Sequence, residues 1–290
     1  MSQTSYNGIT WELSAYPHSR FLSPFHQNNN TFLNTFTTMV YSDFQIPIHF
    51  HRNLEFVIAL EGEGVLSINK KEYPLKPKEC ALILPYQFHG LEVPENAHIW
   101  ITTFSQHYVK AFLSSISGKR PIHPVFQLSD TTEAFLIKQL LNPAGGNKIF
   151  SELDKETELM VKACFYAVCS EFTQKVELIS GSKEAEAISV DILQYISTNF
   201  RENISLRTAA KELGYNYQYL SRIFNQTVGI NFKTILNQYR FEYAMQLLRE
   251  TDKSITTVAF ESGFQSLRTF NRVSYEMFNT SPNKLRKETK

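Results

Sequence analysis

Cysteine is scarce in this chain. Its three residues, Cys80, Cys164 and Cys169, are odd in number and form no C-x-x-C pair, which excludes a disulfide framework and points to a reducing, cytoplasmic compartment. Long apolar runs are missing as well. Nothing approaches the ~18 apolar residues of a membrane helix, and the first twenty residues, MSQTSYNGITWELSAYPHSR, lack the basic head and apolar run of a secretory signal. No membrane partner is expected. The common catalytic signatures G-x-S-x-G, the P-loop and H-E-x-x-H are also absent. His18, His26, His107 and His123 have no partner at motif spacing and are read as structural or exposed.

Net charge is nearly absent, at +1, but the sum conceals an asymmetry. Residues 185–290 carry 14 Lys+Arg against 10 Asp+Glu, whereas residues 1–184 carry 15 against 18. A basic C-terminal part on a mildly acidic body suggests a nucleic-acid partner for that part. At 290 residues two domains are expected, and 42% hydrophobic content is too high for disorder. Tryptophan is limited to two residues, but 23 Phe and 14 Tyr suit a sandwich core or a pocket that stacks on a small molecule.

The texture is β from about residue 36 to 105. VIAL (57–60), VLSI (65–68), ECALILP (79–85) and HIWITTF (98–104) are separated by the turn signals EGEG, NKK, PKE and PENA. Short strands at close spacing predict a double-sheet jelly roll. Ahead of them, HQNNN at 26–30 reads as a loop. TTEAFLIKQLLN (131–142) is helical, PAGGNK (143–148) is a break, and residues 151–175 have the helix period with a wide apolar stripe. That stripe packs either on the domain's own core or on the same helix of a second subunit. VELISGSKEAEA (176–187) is the linker candidate.

The last hundred residues are helical and contain an internal resemblance, AAKELGYNYQYLSRIFNQTVGINF (209–232) and VAFESGFQSLRTFNRVSYEMFNTSP (258–282). Each has Ala, then Gly four later (Ala210 and Gly214; Ala259 and Gly263), an aromatic, and a helix starter (Asn216; Ser266). The small Ala allows close helix approach, and the Gly takes φ > 0 at a tight turn. The second helix of each pair buries one face (Leu220, Ile223 and Phe224; Phe270, Val273 and Met277) and leaves its first turns protruding. That is a helix-turn-helix, whose protruding helix enters the DNA major groove. Residues 231–251 form a connecting rod of roughly 30 Å, close to the roughly 34 Å of one DNA turn. A helical bundle that binds protein instead of DNA is the competing reading.

These pieces, with the leading AISVDILQYISTNF and the closing FNTSPNKLRK, resemble the DNA-binding domain of AraC/XylS-type transcription regulators. The resemblance implies base contacts from Tyr217, Gln218, Ser221 and Arg222 on the first protruding helix. On the second it implies Leu267, Arg268, Thr269, Asn271 and Arg272. Arg suits guanine, and Gln or Asn suits adenine. Lys284, Arg286 and Lys287 are assigned to phosphates. Ser274 and Tyr275 stand where the family usually places a Phe-Lys pair, leaving space for Phe278 or Met277 to fill.

Residues 49–62, HFHRNLEFVIALEG, spell H-x-H-x3-E-x6-G, and PYQFHG (85–90) follows. The pair resembles the two cupin motifs, with the Pro-to-His spacing one short. His49, His51 and Glu55 differ by even numbers, so on a strand they share a face; His89 would join them. The set either binds a first-row metal or lines a pocket. Regulators of this type carry the motif without metal, and barrel mouths are preferred ligand sites. The four residues are therefore assigned to a small-molecule effector, with no metal and no cofactor; Phe50, Phe88 and Trp100 are stacking candidates or core.

The expected fold is multidomain α and β: an N-terminal cupin-like double-stranded β-helix (jelly roll) plus an all-α C-terminal domain with two helix-turn-helix units. The expected division is 1–130 cupin-like sensing domain, 131–184 helical dimerisation segment and linker, and 185–290 AraC-type DNA-binding domain. The expected function is ligand-responsive regulation of transcription by a non-enzymatic homodimer on double-stranded promoter DNA, with RNA polymerase as a further partner. The alternative is a metal-dependent cupin enzyme carrying a DNA-binding module.

Overall fold

The computed structural model describes residues 3–6, 9–12, 36–69, 71–142, 147–150, 153–228 and 230–289. The proposed loop at 26–30, His18 and His26 lie outside these residues, as does most of the break at 143–148. The chain divides into two compact units, with the break between Gly181 and Ser182.

The first unit is built on two antiparallel sheets. Strands β1 (Gln3–Tyr6) and β2 (Ile9–Glu12) form a separate hairpin. The strands that follow are β3 (Phe36–Tyr41), β4 (Phe44–His49), β5 (Leu54–Glu61), β6 (Gly64–Ile68), β7 (Lys71–Leu75), β8 (Glu79–Ile83), β9 (His89–Val93) and β10 (His98–Phe104). With β11 (Lys119–Pro121), β12 (Val125–Gln127), β13 (Asn147–Phe150) and β14 (Leu178–Ser180), they give a six-stranded sheet ordered β12-β8-β5-β10-β3-β13, a four-stranded sheet β4-β9-β6-β7, and a β11-β14 pair. The double-sheet jelly-roll architecture is as the strand spacing predicts.

Strand β5 shows why its sequence is a continuous apolar run. Leu54, Phe56, Ile58 and Leu60 belong to one core with Cys80, Leu82, Trp100 and Phe104. Val57 and Ala59 belong to another with Ala81, Ile83, Ile99 and Ile101, together with Leu66, Ile68, Leu91 and Val93 of the four-stranded sheet. Alternate residues face opposite sides of a strand, so the odd positions look between the sheets and the even positions look outward. Glu55 is odd, and is therefore carried to the space between the sheets.

Helices cover the outer face. They are α1 (Lys110–Ile116), preceded by a 3₁₀ turn Gln106–Val109; α2 (Asp130–Leu136), continued by a π turn Ile137–Leu141; and α3 (Lys155–Lys175). Asp154 caps α3 by accepting from the amides of Glu156 and Thr157. Val161, Phe165, Val168 and Phe172 of α3 are buried in the unit's own core, and Phe165 stacks on Phe104 at 3.8 Å. Each such side chain contributes about 1.5–3 kcal/mol by burial. Of the two partners considered for the apolar stripe, this face takes the domain core. Met160, on the same helix, is 41% exposed. The segment 176–187, read as a linker, is largely structured: Leu178–Ser180 pairs with β11, and the next helix begins at Lys183.

The second unit contains α4 (Lys183–Asn199), α5 (Leu206–Glu212), α6 (Tyr217–Thr227), α7 (Phe232–Glu250), α8 (Ile255–Glu261), α9 (Leu267–Phe278) and α10 (Pro282–Thr289). Side-chain caps start five of these helices: Ser205, Asn216, Asn231, Ser254 and Ser266 each accept a backbone N–H of the first turn. The repeated Ala-x3-Gly-aromatic pattern has one explanation in both copies. Gly214 and Gly263 adopt φ of 74° and 87°, which turns the next amide back: Tyr215 donates to the Ala210 carbonyl and Phe264 to that of Ala259.

The rod α7 is buried on most of its circumference. Phe241 packs between Phe270 and Phe278, with ring centroids 5.5 and 5.6 Å away. Arg240, only 6% exposed, donates to the carbonyls of Phe200 and Glu202 at 2.7 and 2.8 Å. Of the two residues expected to fill space near Ser274, Phe278 is buried against Phe241 and Met277 packs partly buried on the same core. Ser274 is itself fully buried, its hydroxyl donating to the Thr280 carbonyl at 2.6 Å.

Candidate functional site

The chain leaves the four-stranded sheet at His49, the last residue of β4, and enters the six-stranded sheet at Leu54. His49, His51 and Glu55 are therefore not on one strand, and the even spacing is not what unites them. The bend at 50–53 carries the chain between the sheets, and His49 and Glu55 face each other from the two sides. His89 opens β9 and pairs directly with His49 across the ladder. A left-handed Tyr86, φ 62°, turns the chain into His89 and donates its amide to the His51 carbonyl at 2.8 Å. A bulky residue rarely holds that conformation, which costs about 1–3 kcal/mol where it occurs.

The result is a tight polar cluster in an apolar interior. His49, His51, Glu55 and His89 are each 2% exposed, and their donor atoms lie within 4.8 Å of one another. Imidazole centroids are 4.2 Å apart for His49–His89, 4.8 Å for His51–His89 and 5.5 Å for His49–His51. The Nδ1–H of His51 donates to the Asn53 carbonyl at 3.0 Å, and that of His89 to Gln87 at 2.8 Å. Both Nε2 atoms therefore face the carboxylate, at 3.4 Å from Oε2 for His51 and 3.5 Å from Oε1 for His89. The hydroxyl of Thr103 donates to Oε2 at 3.0 Å. Burial opposes ionisation of Glu55, but the adjoining His89 and His51 hold its carboxyl well below the usual carboxylate range. Burial lowers the His51 pKa. The set thus offers a carboxylate and inward-facing imidazole nitrogens, able to take a hydrogen-bonding ligand or a cation.

Of the aromatic candidates, Phe50 and Phe88 pack on each other at 4.6 Å. Trp100 is an even-numbered position of β10 and lies in the outward core, its indole N–H donating to Thr38. It is core, on the opposite face of the sheet from the cluster.

In the second unit Gln218 and Arg222 are exposed on α6, and Tyr217 and Ser221 are half-buried. The Arg222 guanidinium lies over the Tyr219 ring at 5.5 Å. On α9, Arg268, Asn271 and Arg272 are exposed, while Leu267 and Thr269 are half-buried. Leu267 packs against the unit's core. Thr269 shares its hydroxyl with the cap Ser266 at 3.0 Å, and Arg272 is ion-paired with Glu276. Arg286, assigned to phosphate, donates to the Lys253 carbonyl at 2.6 Å.

Sequence reasoning missed several residues. Arg207, on α5, lies over the Tyr217 ring at 4.4 Å and adds a cation beside the first protruding helix. Its signal was an Arg two residues past the cap Ser205. Thr103, Asn53 and Gln87 carry no spacing signal, because their role follows from strand register and turn geometry.

Residues 40–161 match the family described as "AraC-like ligand binding domain", and residues 209–288 match "Helix-turn-helix domain". The HTH-type transcriptional activator RhaS of Enterobacter sp. (strain 638) is 22% identical over 251 residues, spanning 83% of this chain and 87% of that protein. Among solved structures, ToxT from Vibrio cholerae aligns with a TM-score of 0.60 at 18% identity, over 88% of this chain and 99% of that one. Unsaturated fatty acid bound wild-type ToxT from V. cholerae strain SCE256 aligns with a TM-score of 0.60 at 15% identity, over 90% and 98% of the two chains. At these identities the structural likeness is one of fold.

Proposed function

The chain belongs to the AraC family of transcription regulators and carries an N-terminal ligand-binding domain; from this premise we propose how its parts divide the work. The sensing site is the inter-sheet cluster of His49, His51, Glu55 and His89. The reading surface is formed by α6 and α9. The observation that carries this reading is that both helix-turn-helix units expose basic and amide side chains at the start of their second helices, joined through a 19-residue helix. That rod spans about 28 Å at 1.5 Å per residue, near the roughly 34 Å that separates successive major grooves on one face.

Gln218, Arg222, Arg268 and Asn271 are the residues best placed to read bases. Tyr217, with Arg207 over its ring, and Ser221 border that surface, while Thr269 and Arg272 reach bases only by giving up the partners they hold. Effector binding in the first unit changes the DNA affinity of the second, a coupling between two distinct sites. The protein works as a homodimer on paired half-sites in the cytoplasm, engages RNA polymerase, and performs no catalysis. Dimerisation is supported by Leu159, Met160 and Tyr166, which leave an apolar strip on the outer side of α3, with Leu159 60% exposed.

The test is selection of bound fragments from a random DNA pool, with and without candidate metabolites. Enrichment of one paired motif whose recovery depends on a metabolite is the expected result. A chain that enriches no sequence acts through another surface, and the reading falls.

A further inference from the structure

We propose that Arg207, on the first helix of the first helix-turn-helix unit, grips a phosphate of the DNA backbone beside the groove that α6 enters, with the ring of Tyr217 as its platform. This deepens the reading proposed for the second unit, and rests on α6 as a DNA-reading helix.

Three observations carry it. First, the cation is held in place without a charge partner. The Arg207 guanidinium is exposed, lies over the Tyr217 ring at 4.4 Å and, among the described residues, pairs with no carboxylate. Arg272, by contrast, is ion-paired with Glu276, and Arg240 is buried on two backbone carbonyls. A guanidinium held over an aromatic ring is restrained without using its N–H donors, and those donors form a fork that matches phosphate.

Second, the place is the backbone side of the reading helix. Residues four apart share a helix face, so Tyr217 and Ser221 form one flank of α6, beside the exposed crest of Gln218 and Arg222. Tyr219 lies on the other flank, where its hydroxyl donates to Glu184 at 2.7 Å. Arg207 reaches the Tyr217 flank from α5. In a helix-turn-helix the first helix crosses the DNA backbone while the second lies in the groove, so a cation at the seam between them meets phosphate.

Third, the internal repeat separates this pair from the shared framework. Counted from the caps Ser205 and Ser254, the second unit has Thr256 in place of Arg207. Counted from the caps Asn216 and Ser266, it has Leu267 in place of Tyr217, and Leu267 packs against the core. Both units nevertheless make the same turn, with Gly214 and Gly263 at positive φ. The turn needs neither the cation nor the ring. The pair is an addition to the first unit, which gains an anchoring contact that the second lacks.

The full chain and its variants are titrated with the fragment enriched by the pool selection and with a duplex of unrelated sequence, between 50 and 200 mM salt. One lost phosphate contact lowers the slope of log affinity against log salt by about 0.9. Arg207→Ala should weaken binding to both duplexes, leave base preference unchanged, and reduce the affinity lost across that salt range by about 3.5-fold. Arg207→Gln should repeat this result, and Arg207→Lys should keep the wild-type slope. Tyr217→Leu removes the platform, so adding Arg207→Ala to it should cost less than Arg207→Ala alone. Single phosphates replaced by uncharged methylphosphonate should reveal one position that the wild type needs and Arg207→Ala ignores. Wild-type binding with an unchanged slope in Arg207→Ala overturns this proposal alone. A loss confined to one base position makes Arg207 a base reader and overturns it as well. A wild-type chain that binds neither duplex sinks the DNA-reading role of α6, and this proposal with it.

Discussion

Gly263 lies against the backbone of Arg201, so that a Cβ added there would sit 2.7 Å from the Arg201 Cα and 2.8 Å from the Phe200 carbonyl oxygen. The turn of the second helix-turn-helix is thereby pressed onto the segment that Arg240 also holds. Gly214, at the equivalent turn of the first unit, has nothing within 4 Å. The two glycines share a positive φ and differ in their surroundings. Gly214→Ala should cost about 1–2 kcal/mol, the strain of a left-handed alanine. Gly263→Ala adds a clash with backbone that cannot move aside, and should cost about 3 kcal/mol or more. Equal losses in chemical denaturation would refute the close-approach argument.

Ser274 tests the departure from the family pattern. Its buried hydroxyl satisfies the Thr280 carbonyl just beyond the left-handed Asn279 that ends α9. Ser274→Ala should destabilise by about 1–3 kcal/mol, the cost of a buried acceptor left unpaired. Ser274→Phe, which restores the usual family residue, should also destabilise, because Phe278 already fills the space against Phe241. A stabilised Ser274→Phe protein would show that the space is still open.

Arg268 and Arg272 differ in availability. Both are exposed, but Arg272 is engaged with Glu276. Arg268→Ala should cost about 1–3 kcal/mol of operator affinity and relax preference at one base position. Arg272→Ala should cost less, since its wild-type side chain must first leave its partner. Titration of operator fragments carrying each base at each position separates the two; a larger loss for Arg272 would place it at the base edge instead.

Glu171 ties α3 to the start of α2. Its carboxylate accepts from the Ser129 amide and hydroxyl and pairs with Lys175. Burial opposes its ionisation, but these donors prevail and hold its pKa at about 2, below its ordinary 4.5. A depressed carboxylate contributes stability that is complete above its unfolded pKa and is lost as pH falls through the folded one. Stability of the first unit should therefore decline between pH of about 4.5 and about 2. Glu171→Gln should be less stable at neutral pH and flatter across that window. Parallel pH profiles for the two proteins would contradict this.

Leu159→Glu probes the outer strip of α3. Leu159 is 60% exposed, so the change should leave the fold of the isolated chain intact and shift the protein from dimer to monomer in sedimentation. A dimer of unchanged strength would place the subunit interface elsewhere.

The helix-turn-helix units were legible because their signals are local. Caps at Asn216 and Ser266, left-handed glycines at 214 and 263, and an apolar face of period 3.6 all act within about 25 residues. The four donors of the first unit were legible as a set through their resemblance to a known motif. The reason they meet was not: even spacing suggested one strand, whereas they come from two sheets and the bend between them. The role of α3 was ambiguous for a related cause, since an apolar stripe states that a face is buried and is silent about its partner.

The sequence by itself determined the two-part organisation, the jelly-roll texture and the two helix-turn-helix units, because periodicity, capping and glycine conformation depend on near neighbours. The tertiary structure decided the rest. It brought Thr103 to Glu55 across 48 residues, turned Trp100 away from the cluster, and paired α3 with its own barrel. Those outcomes depend on strand register and sheet crossing, which are settled by the joint packing of distant segments.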